Sequence, residues 1–208
     1  MPPSVAPVDA GLLWLAVLQR AVGRASHDVK DALNGVSVNL EVIRSRAERP
    51  DVPAAAVAPF AAAAAQQLEK LTTLLDAVLA LGRIERDPAD VGITLRRVAG
   101  LCGASSSAAD SAVTVHDNVS GDARTRVPGD AVRLALAAPL LDAVVGTTGG
   151  PRASAVVCEL TGDGTSLVVR MCADRPIQLP SDVAETLRVA GVRWIEAPND
   201  LSLVFPRA

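Results

Sequence analysis

The chain has 208 residues, half of them hydrophobic, and a formal net charge of −3 at pH 7. This length and apolar content exclude a disordered chain and suffice for one large or two small folded domains. Aromatic residues make up 2 % and Tyr is absent, so the core must consist of Ala, Leu and Val. Acidic and basic residues are interspersed, and without a basic stripe we expect no nucleic-acid partner.

The spacing of the cysteines and the hydropathy of the N-terminal segment indicate the cellular compartment of the protein. Cys102, Cys158 and Cys172 show no CxxC spacing, which argues against a disulfide framework or a zinc site. Arg20 and Arg24 interrupt the apolar start of the chain, well short of the ~20 apolar residues that a membrane span needs. A basic n-region and a cleavage site are also lacking. We therefore expect a cytoplasmic protein with no signal peptide and no membrane contact.

The first ninety residues predict a helical hairpin. Residues 9–48 contain no Pro and show helical periodicity. Two prolines break the pattern within residues 49–53. A second helical run covers residues 54–85, with Pro59 in its first turn, and Asp87–Pro88 ends it.

The remaining residues predict a small α/β domain. We expect helices at 91–102, 128–145 and 181–190, and strands at 112–115, 153–160, 166–172, 192–195 and 201–205. The TGDG segment at 161–164 is typical of a β-hairpin turn. The predicted fold class is thus α+β, with a helical hairpin at 9–86 and an α/β domain at 90–208.

A helical wheel of the first arm shows a long apolar seam. At 100° per residue, six apolar residues fall within roughly 40° of one direction: Val22, Val29, Leu33, Val36, Leu40 and Ile43. A similar repeat in the second arm comprises Leu68, Leu71, Leu75 and Val78. In a lone hairpin the two helices share one interface, and the outer sides of both helices stay exposed to solvent. We therefore predict a homodimer in which two hairpins form a four-helix bundle.

The opposite side of the first arm carries the candidate chemistry. His27 points about 160° away from the seam. Neutral imidazole is a good nucleophile near neutral pH, and a neighbouring carboxylate can hold its tautomer. A solvent-facing His on a helix is more often a plain surface residue, so this geometry does not establish a function by itself. The same face and its flanks also carry Asp28, Lys30, Asp31, Asn34 and Val38.

The segment around His27 resembles the H box of two-component histidine kinases. Residues 26–34 are SHDVKDALN, and that box commonly has the pattern S-H-[DE]-[LIV]-[RK]-[NT]-P-L on the first helix of a dimerisation and phosphotransfer hairpin. Residues 67–81 are similar to the family's second helix. The resemblance implies that His27 carries a phosphoryl group and that Asp28 is its acid/base partner.

Around this histidine, the resemblance also suggests which residues meet a partner. We expect the partner to contact Lys30, Asp31, Asn34 and Val38. Two positions depart from the family pattern. Ala32 replaces the proline, and Asp31 replaces the Asn or Thr that positions water for phosphatase activity, so the resemblance does not extend to that activity.

The second domain resembles the family's ATPase domain in outline. Residues 130–143 are similar to the helix of the N box, but Asp142 stands where the Mg²⁺-binding Asn belongs. After the strand at 167–172 the family has D-x-G-x-G, whereas Asp174 here is followed by Arg-Pro-Ile. Glycines let backbone approach phosphate closely. The resemblance therefore implies a degenerate ATPase-like domain and no cofactor of the protein's own.

Together these features imply a histidine phosphotransferase of the histidine-kinase-like type. It would pass a phosphoryl group between His27 and the aspartate of response-regulator receiver domains, with Mg²⁺ on the receiver. A hybrid histidine kinase is a further candidate partner. Two alternatives stay open: a non-catalytic dimeric scaffold that binds response regulators or kinases, and an ATP-dependent kinase with unusual nucleotide boxes.

Overall fold

The computed structural model describes residues 9–49, 51, 53–82, 88–104, 112–145 and 152–208. The N-terminal segment expected to be loose (1–8) and the expected end of the second arm (83–85) lie outside the described residues. The boundary expected near residues 86–90 lies partly outside them, so the division into domains stays a prediction.

Two long antiparallel helices form the first part of the fold, and the predicted helical hairpin is confirmed. Helix α1 (Ala10–Ala47) begins after Asp9, whose Oδ1 accepts a hydrogen bond from the Gly11 backbone N at 2.7 Å. Such caps satisfy N–H groups that have no partner within the helix. A short 3-10 turn (Ala54–Ala56) leads into α2 (Ala58–Gly82). No helix among the described residues is long and apolar enough to cross a membrane.

Contacts at two positions along the hairpin hold α1 and α2 side by side. Near the loop, the Arg46 guanidinium lies 4.5 Å from the centroid of the Phe60 ring and donates to the Ala56 carbonyl at 2.6 Å. Further along, a Cβ added to Gly35 would lie 3.4 Å from Cγ of Gln67. The small residue at position 35 therefore permits a close approach of the two helices.

The buried stripe of α1 is not the predicted apolar seam. Of the six seam residues only Val36 is buried, while Val22, Leu33 and Leu40 are 40, 46 and 54 % exposed. Three residues of the stripe are alanines, which let helices pack closely. Its members recur every three or four positions: Trp14, Val17, Ala21, Ala25, Asp28, Ala32 and Val36.

The second part of the fold is a mixed sheet with helices, which confirms the predicted α+β class. All the helices and strands expected beyond residue 90 are present. Two further strands of two residues each were not predicted, because so short a segment carries no periodicity. In chain order the elements are β1 (Ala89–Asp90), α3 (Val91–Ala104), β2 (Ala112–Asp117), β3 (Arg124–Thr125), α4 (Gly129–Val145), β4 (Ala155–Gly162), β5 (Ser166–Ala173), α5 (Ser181–Val189), β6 (Arg193–Ala197) and β7 (Asp200–Pro206).

The main sheet has the strand order β2-β4-β5-β7-β6. Strand β2 runs parallel to β4, and the other neighbours are antiparallel. Alternate residues of the central strands are buried, as Val156, Cys158 and Leu160 are on β4. All ten residues from 131 to 140 on α4 are buried, as expected for a helix packed on every side.

The helical hairpin packs directly on the second part. The Arg133 guanidinium on α4 lies 5.6 Å from the Trp14 ring centroid on α1 and is paired with Asp130. On α2, Leu74 and Leu81 are buried in the same cluster as residues of α3, α4 and the sheet. One continuous apolar core therefore joins the hairpin to the α/β part.

The predicted turn between β4 and β5 is confirmed. Asp163 Oδ1 accepts hydrogen bonds from the backbone N of Thr165 and of Ser166, both at 2.7 Å. These bonds lower the pKa of Asp163 to about 2. A Cβ on Gly162 would lie 2.9 Å from Cδ2 of Leu167, so a larger residue at position 162 would displace that side chain.

Candidate functional site

His27 lies near the middle of α1 and points away from the protein interior. Its side chain is 71 % exposed, in the direction given by the helical wheel. The helix runs without interruption past Ala32, which is buried and occupies the place of the H-box proline. Proline inside a helix removes a backbone hydrogen bond and favours a kink. Here the unbroken helix keeps the outward face continuous on both sides of His27.

Asp31 is the residue that contacts the imidazole. Its Oδ2 lies 3.1 Å from Nδ1 of His27, and its side chain is 69 % exposed. Residues four apart on a helix are neighbours on its surface, so this contact follows directly from the sequence spacing. The contact engages Nδ1 of the ring rather than Nε2.

The Asp28 side chain faces the protein interior, whereas the His27 side chain faces the surface. Asp28 is 8 % exposed and belongs to the buried stripe, between Ala25 and Ala32. Consecutive residues of a helix point about 100° apart, so His27 and Asp28 project in different directions. The role of Asp28 as acid/base partner stays a prediction.

The three side chains together form a compact group of nitrogen and oxygen donors. One ligand atom from each of His27, Asp28 and Asp31 lies within 4.8 Å of the others. Imidazole with two carboxylates is a donor set that divalent metals accept. The group is thus able either to hold such an ion or to orient the imidazole through a carboxylate.

The predicted partner-binding residues all lie on the surface of α1. Lys30, Asn34 and Val38 are exposed, Val38 by 56 %. From His27 to Val38 the face extends over about 16 Å at 1.5 Å per residue. It offers a cation, an amide and an apolar side chain next to the imidazole. Contact of these residues with a partner stays a prediction.

The hairpin has a second exposed surface, which we call the apolar face. Viewed along each helix from its N-terminus, the residues of this face are rotated about a quarter turn from the buried stripe, and the direction of rotation is the same on both helices. Because the helices are antiparallel, both rows point to one side of the hairpin, and His27 points to the other. The apolar face consists of Leu15, Val22, Leu33 and Leu40 on α1 and Leu68, Leu75 and Leu79 on α2, each at least 40 % exposed.

Of the two residues at the expected nucleotide boxes, Asp174 is engaged by a neighbouring strand end. The Asp174 carboxylate accepts a hydrogen bond from Oγ of Ser154 at 2.6 Å and from its backbone N at 3.2 Å. These bonds lower the pKa of Asp174 and tie the end of β5 to the start of β4. Asp142 is half-buried near the end of α4, with its Oδ1 inaccessible to solvent. The segment at 146–151 lies outside the described residues.

Sequence reasoning missed two contacts, one at the site and one between the hairpin and α4. It assigned Asp31 to the phosphatase position and to the partner surface but not to the imidazole, although the spacing of four from His27 on a helix signals a contact. The second is the contact of the Trp14 ring with the Arg133 guanidinium on α4. No local pattern relates Trp14 to Arg133 on α4, because more than a hundred residues separate them.

Comparisons with known proteins give matches to structures alone. No protein-family model matches the chain, and a search of curated proteins finds no significant match. A bacterial phosphotransferase aligns over 98 % of this chain and 98 % of its own, at 15 % identity and a TM-score of 0.46. The Acinetobacter baumannii histidine kinase AdeS aligns over 88 % of this chain and 97 % of its own, at 11 % identity and a TM-score of 0.42.

A third similar structure is the histidine kinase ThkA, which was solved in complex with the response regulator TrrA. It aligns over 93 % of this chain and 63 % of its own, at 14 % identity and a TM-score of 0.41. All three TM-scores are below 0.5, and a functional proposal therefore depends on the residues of this chain.

Proposed function

We propose that this chain is a dimeric histidine phosphotransferase of a two-component phosphorelay. It passes a phosphoryl group between His27 and the aspartate of response-regulator receiver domains, without binding ATP. The observation that carries the proposal is the His27 imidazole, which is 71 % exposed on the outer face of α1 with a carboxylate oxygen 3.1 Å from Nδ1.

The chemistry of this face suits transfer to and from a protein partner. A neutral imidazole nitrogen on the solvent side attacks phosphorus without a conformational change in the helix. Phosphoryl transfer depends mainly on positioning and on charge stabilisation, and the receiver supplies the latter with its own Mg²⁺. Lys30, Asn34 and Val38 lie close enough to His27 on α1 to contact the same partner.

The α/β part supports a role without nucleotide. Asp174 is engaged with Ser154, and Pro176 follows where the H-box family has glycines. A backbone that lacks those glycines does not approach phosphates closely. A histidine beside such a domain receives phosphoryl groups made elsewhere.

The apolar face supports a homodimer. Leu33 and Leu40 on α1 and Leu68, Leu75 and Leu79 on α2 expose 46 to 63 % of their surface on one side of the hairpin. Contiguous exposed apolar surface of this kind marks interaction sites. Two hairpins paired through this face form a four-helix bundle, and both His27 side chains remain on the outside.

Phosphoryl transfer to the purified protein tests the proposal. The protein is incubated with radiolabelled ATP alone, and then with phosphorylated receiver domains from the same cell. We expect acid-labile label only with a phosphorylated receiver, and none in His27→Ala. The matched control is His116→Ala, since His116 is exposed on β2 and is the other histidine of the chain.

The other outcomes identify the alternatives. Label from ATP alone would mean that the α/β part binds and uses nucleotide. Receivers that bind equally well to the His27→Ala variant, with no label on the wild type, would show a non-catalytic scaffold instead.

A further inference from the structure

The contact between His27 and Asp31 constrains the protonation state of the ring. Nδ1 of His27 lies 3.1 Å from Oδ2 of Asp31. An ionised carboxylate only accepts hydrogen bonds, and a neutral imidazole has one donor and one acceptor nitrogen. The contact is therefore a hydrogen bond only when Nδ1 carries the proton, which leaves the lone pair on Nε2.

We infer that Asp31 is the positioning residue of His27: it holds the imidazole in the Nδ1–H tautomer and directs the phosphoryl group to Nε2. The transfer of the phosphoryl group to Nε2 rests on the proposed phosphotransfer function, whereas the tautomer of His27 does not depend on it. The resemblance to the H box assigns the acid/base role to Asp28 and a phosphatase role to the position of Asp31. The geometry gives the imidazole contact to Asp31.

The burial of the two carboxylates supports this assignment. Asp28 is 8 % exposed and lies in the stripe that faces α2 and the core. Asp31 is 69 % exposed, on the same surface as the imidazole. Side chains four apart share a helix face, whereas adjacent ones do not. Asp31 is therefore the carboxylate that reaches the ring from the solvent side, where a receiver would dock.

The transfer step balances with the proton kept at Nδ1. The lone pair of Nε2 forms a bond to phosphorus of the receiver's aspartyl phosphate, and the bond from phosphorus to the acyl oxygen breaks. The electron pair of that bond stays on the receiver's carboxylate. The ring becomes a phosphorylated imidazolium with one positive charge, and the Asp31 carboxylate stabilises this charge through the Nδ1–H. The reverse step regenerates the neutral ring with the proton still on Nδ1.

The tautomer is measured directly by ¹⁵N NMR of histidine-labelled protein. Spectra are recorded at alkaline pH, so that the signals are those of the neutral ring. We expect Nδ1 of His27 to show a protonated-type shift and Nε2 a bare-type shift in the wild type. In Asp31→Ala the Nε2–H form should become the major one, as in free histidine. Asp28→Asn is the comparison variant and should keep the wild-type pattern, and His27→Ala assigns the signals against His116.

The second measurement is the rate of transfer from a phosphorylated receiver. Asp31→Ala should slow transfer by about tenfold, the order of magnitude expected for the loss of one hydrogen bond to a charged group. Asp31→Asn should lie between Asp31→Ala and the wild type, because its amide oxygen accepts from Nδ1 but carries no charge. Circular dichroism of each variant confirms that α1 remains folded.

Three results would overturn the inference. The wild type could show the Nε2–H tautomer, Asp31→Ala could leave the tautomer unchanged, or it could transfer at the wild-type rate. If the wild type accepts no phosphoryl group from any receiver, the proposed function fails, and the spectra still decide whether Asp31 orients His27.

Discussion

At the scale of single residues, Asp163 shows how one exposed carboxylate fixes a turn. It accepts two backbone hydrogen bonds and lies 2.9 Å from Oγ1 of Thr165. Hydrogen bonds to the ionised form lower a carboxyl pKa, and that of Asp163 falls from 3.8 to about 2. A group whose pKa is lower in the folded state stabilises the fold above its unfolded pKa. This stabilisation is lost as the pH falls through the folded value.

The ionised form of Asp163 is therefore expected to matter between neutral pH and about pH 2. The variant Asp163→Asn keeps the shape and an acceptor oxygen but has no charge. At pH 7 it should unfold at a lower urea concentration than the wild type. The difference should shrink as the pH falls from about 4 to about 2, because the wild-type carboxyl becomes protonated over that window.

Urea titrations of both proteins at several pH values check this expectation. A difference that stays constant from pH 7 to pH 2 would show that the charge of Asp163 does not contribute.

At the scale of elements, side-chain size decides which face of α1 is buried. The wheel of α1 gives a seam of large aliphatic residues, yet the stripe inside the chain includes Ala21, Ala25 and Ala32. Alanine lets α2 and α4 approach closely. The large residues, such as Leu33 and Leu40, are displaced to the apolar face. Periodicity located the row of large residues, but it did not identify the row that the neighbouring helices cover.

Helix α5 offers a matched pair of substitutions that tests its amphipathic packing. Leu187 is fully buried and Val189, two residues later, is 60 % exposed. Leu187→Ala should destabilise the fold by about 2–5 kcal/mol through lost burial and a residual cavity. Val189→Ala should change the stability by less than about 0.5 kcal/mol. Equilibrium denaturation measures both values, and equal effects would contradict the observed orientation of α5.

At the scale of the whole molecule, the apolar face predicts the oligomeric state. The chain has a mass of 21.4 kDa, so light scattering on a gel-filtration column should give about twice that mass for the wild type. Leu75→Glu places a charge on the apolar face, and burying an unpaired charge is costly. We expect this variant to dimerise at least about tenfold more weakly.

A substitution to Glu at an exposed position outside the apolar face serves as the control for the dimer. Val189→Glu replaces an apolar residue on α5 that is 60 % exposed, against 47 % for Leu75, and should leave the dimer intact. A wild-type protein that elutes with the mass of one chain would contradict the four-helix bundle.

The sequence by itself determined the order and type of the larger elements and the direction of His27. Periodicities of 3.6 and 2 depend on neighbouring residues only, and so do the TGDG turn and the Pro-rich break after α1. These features fix how each segment is oriented about its own axis. They place His27 and Val38 on one face of α1 without reference to the rest of the chain.

Only the tertiary structure decided which carboxylate turns inward and how the hairpin meets the α/β part. The spacing of four places Asp31 beside His27 on the helix surface, but the 8 % exposure of Asp28 is set by the neighbouring elements that pack on its side of α1. Likewise, the packing of Trp14 on Arg133 joins residues far apart in sequence. Such contacts depend on which surfaces fit together once all elements have formed, and local sequence patterns carry no record of that fit.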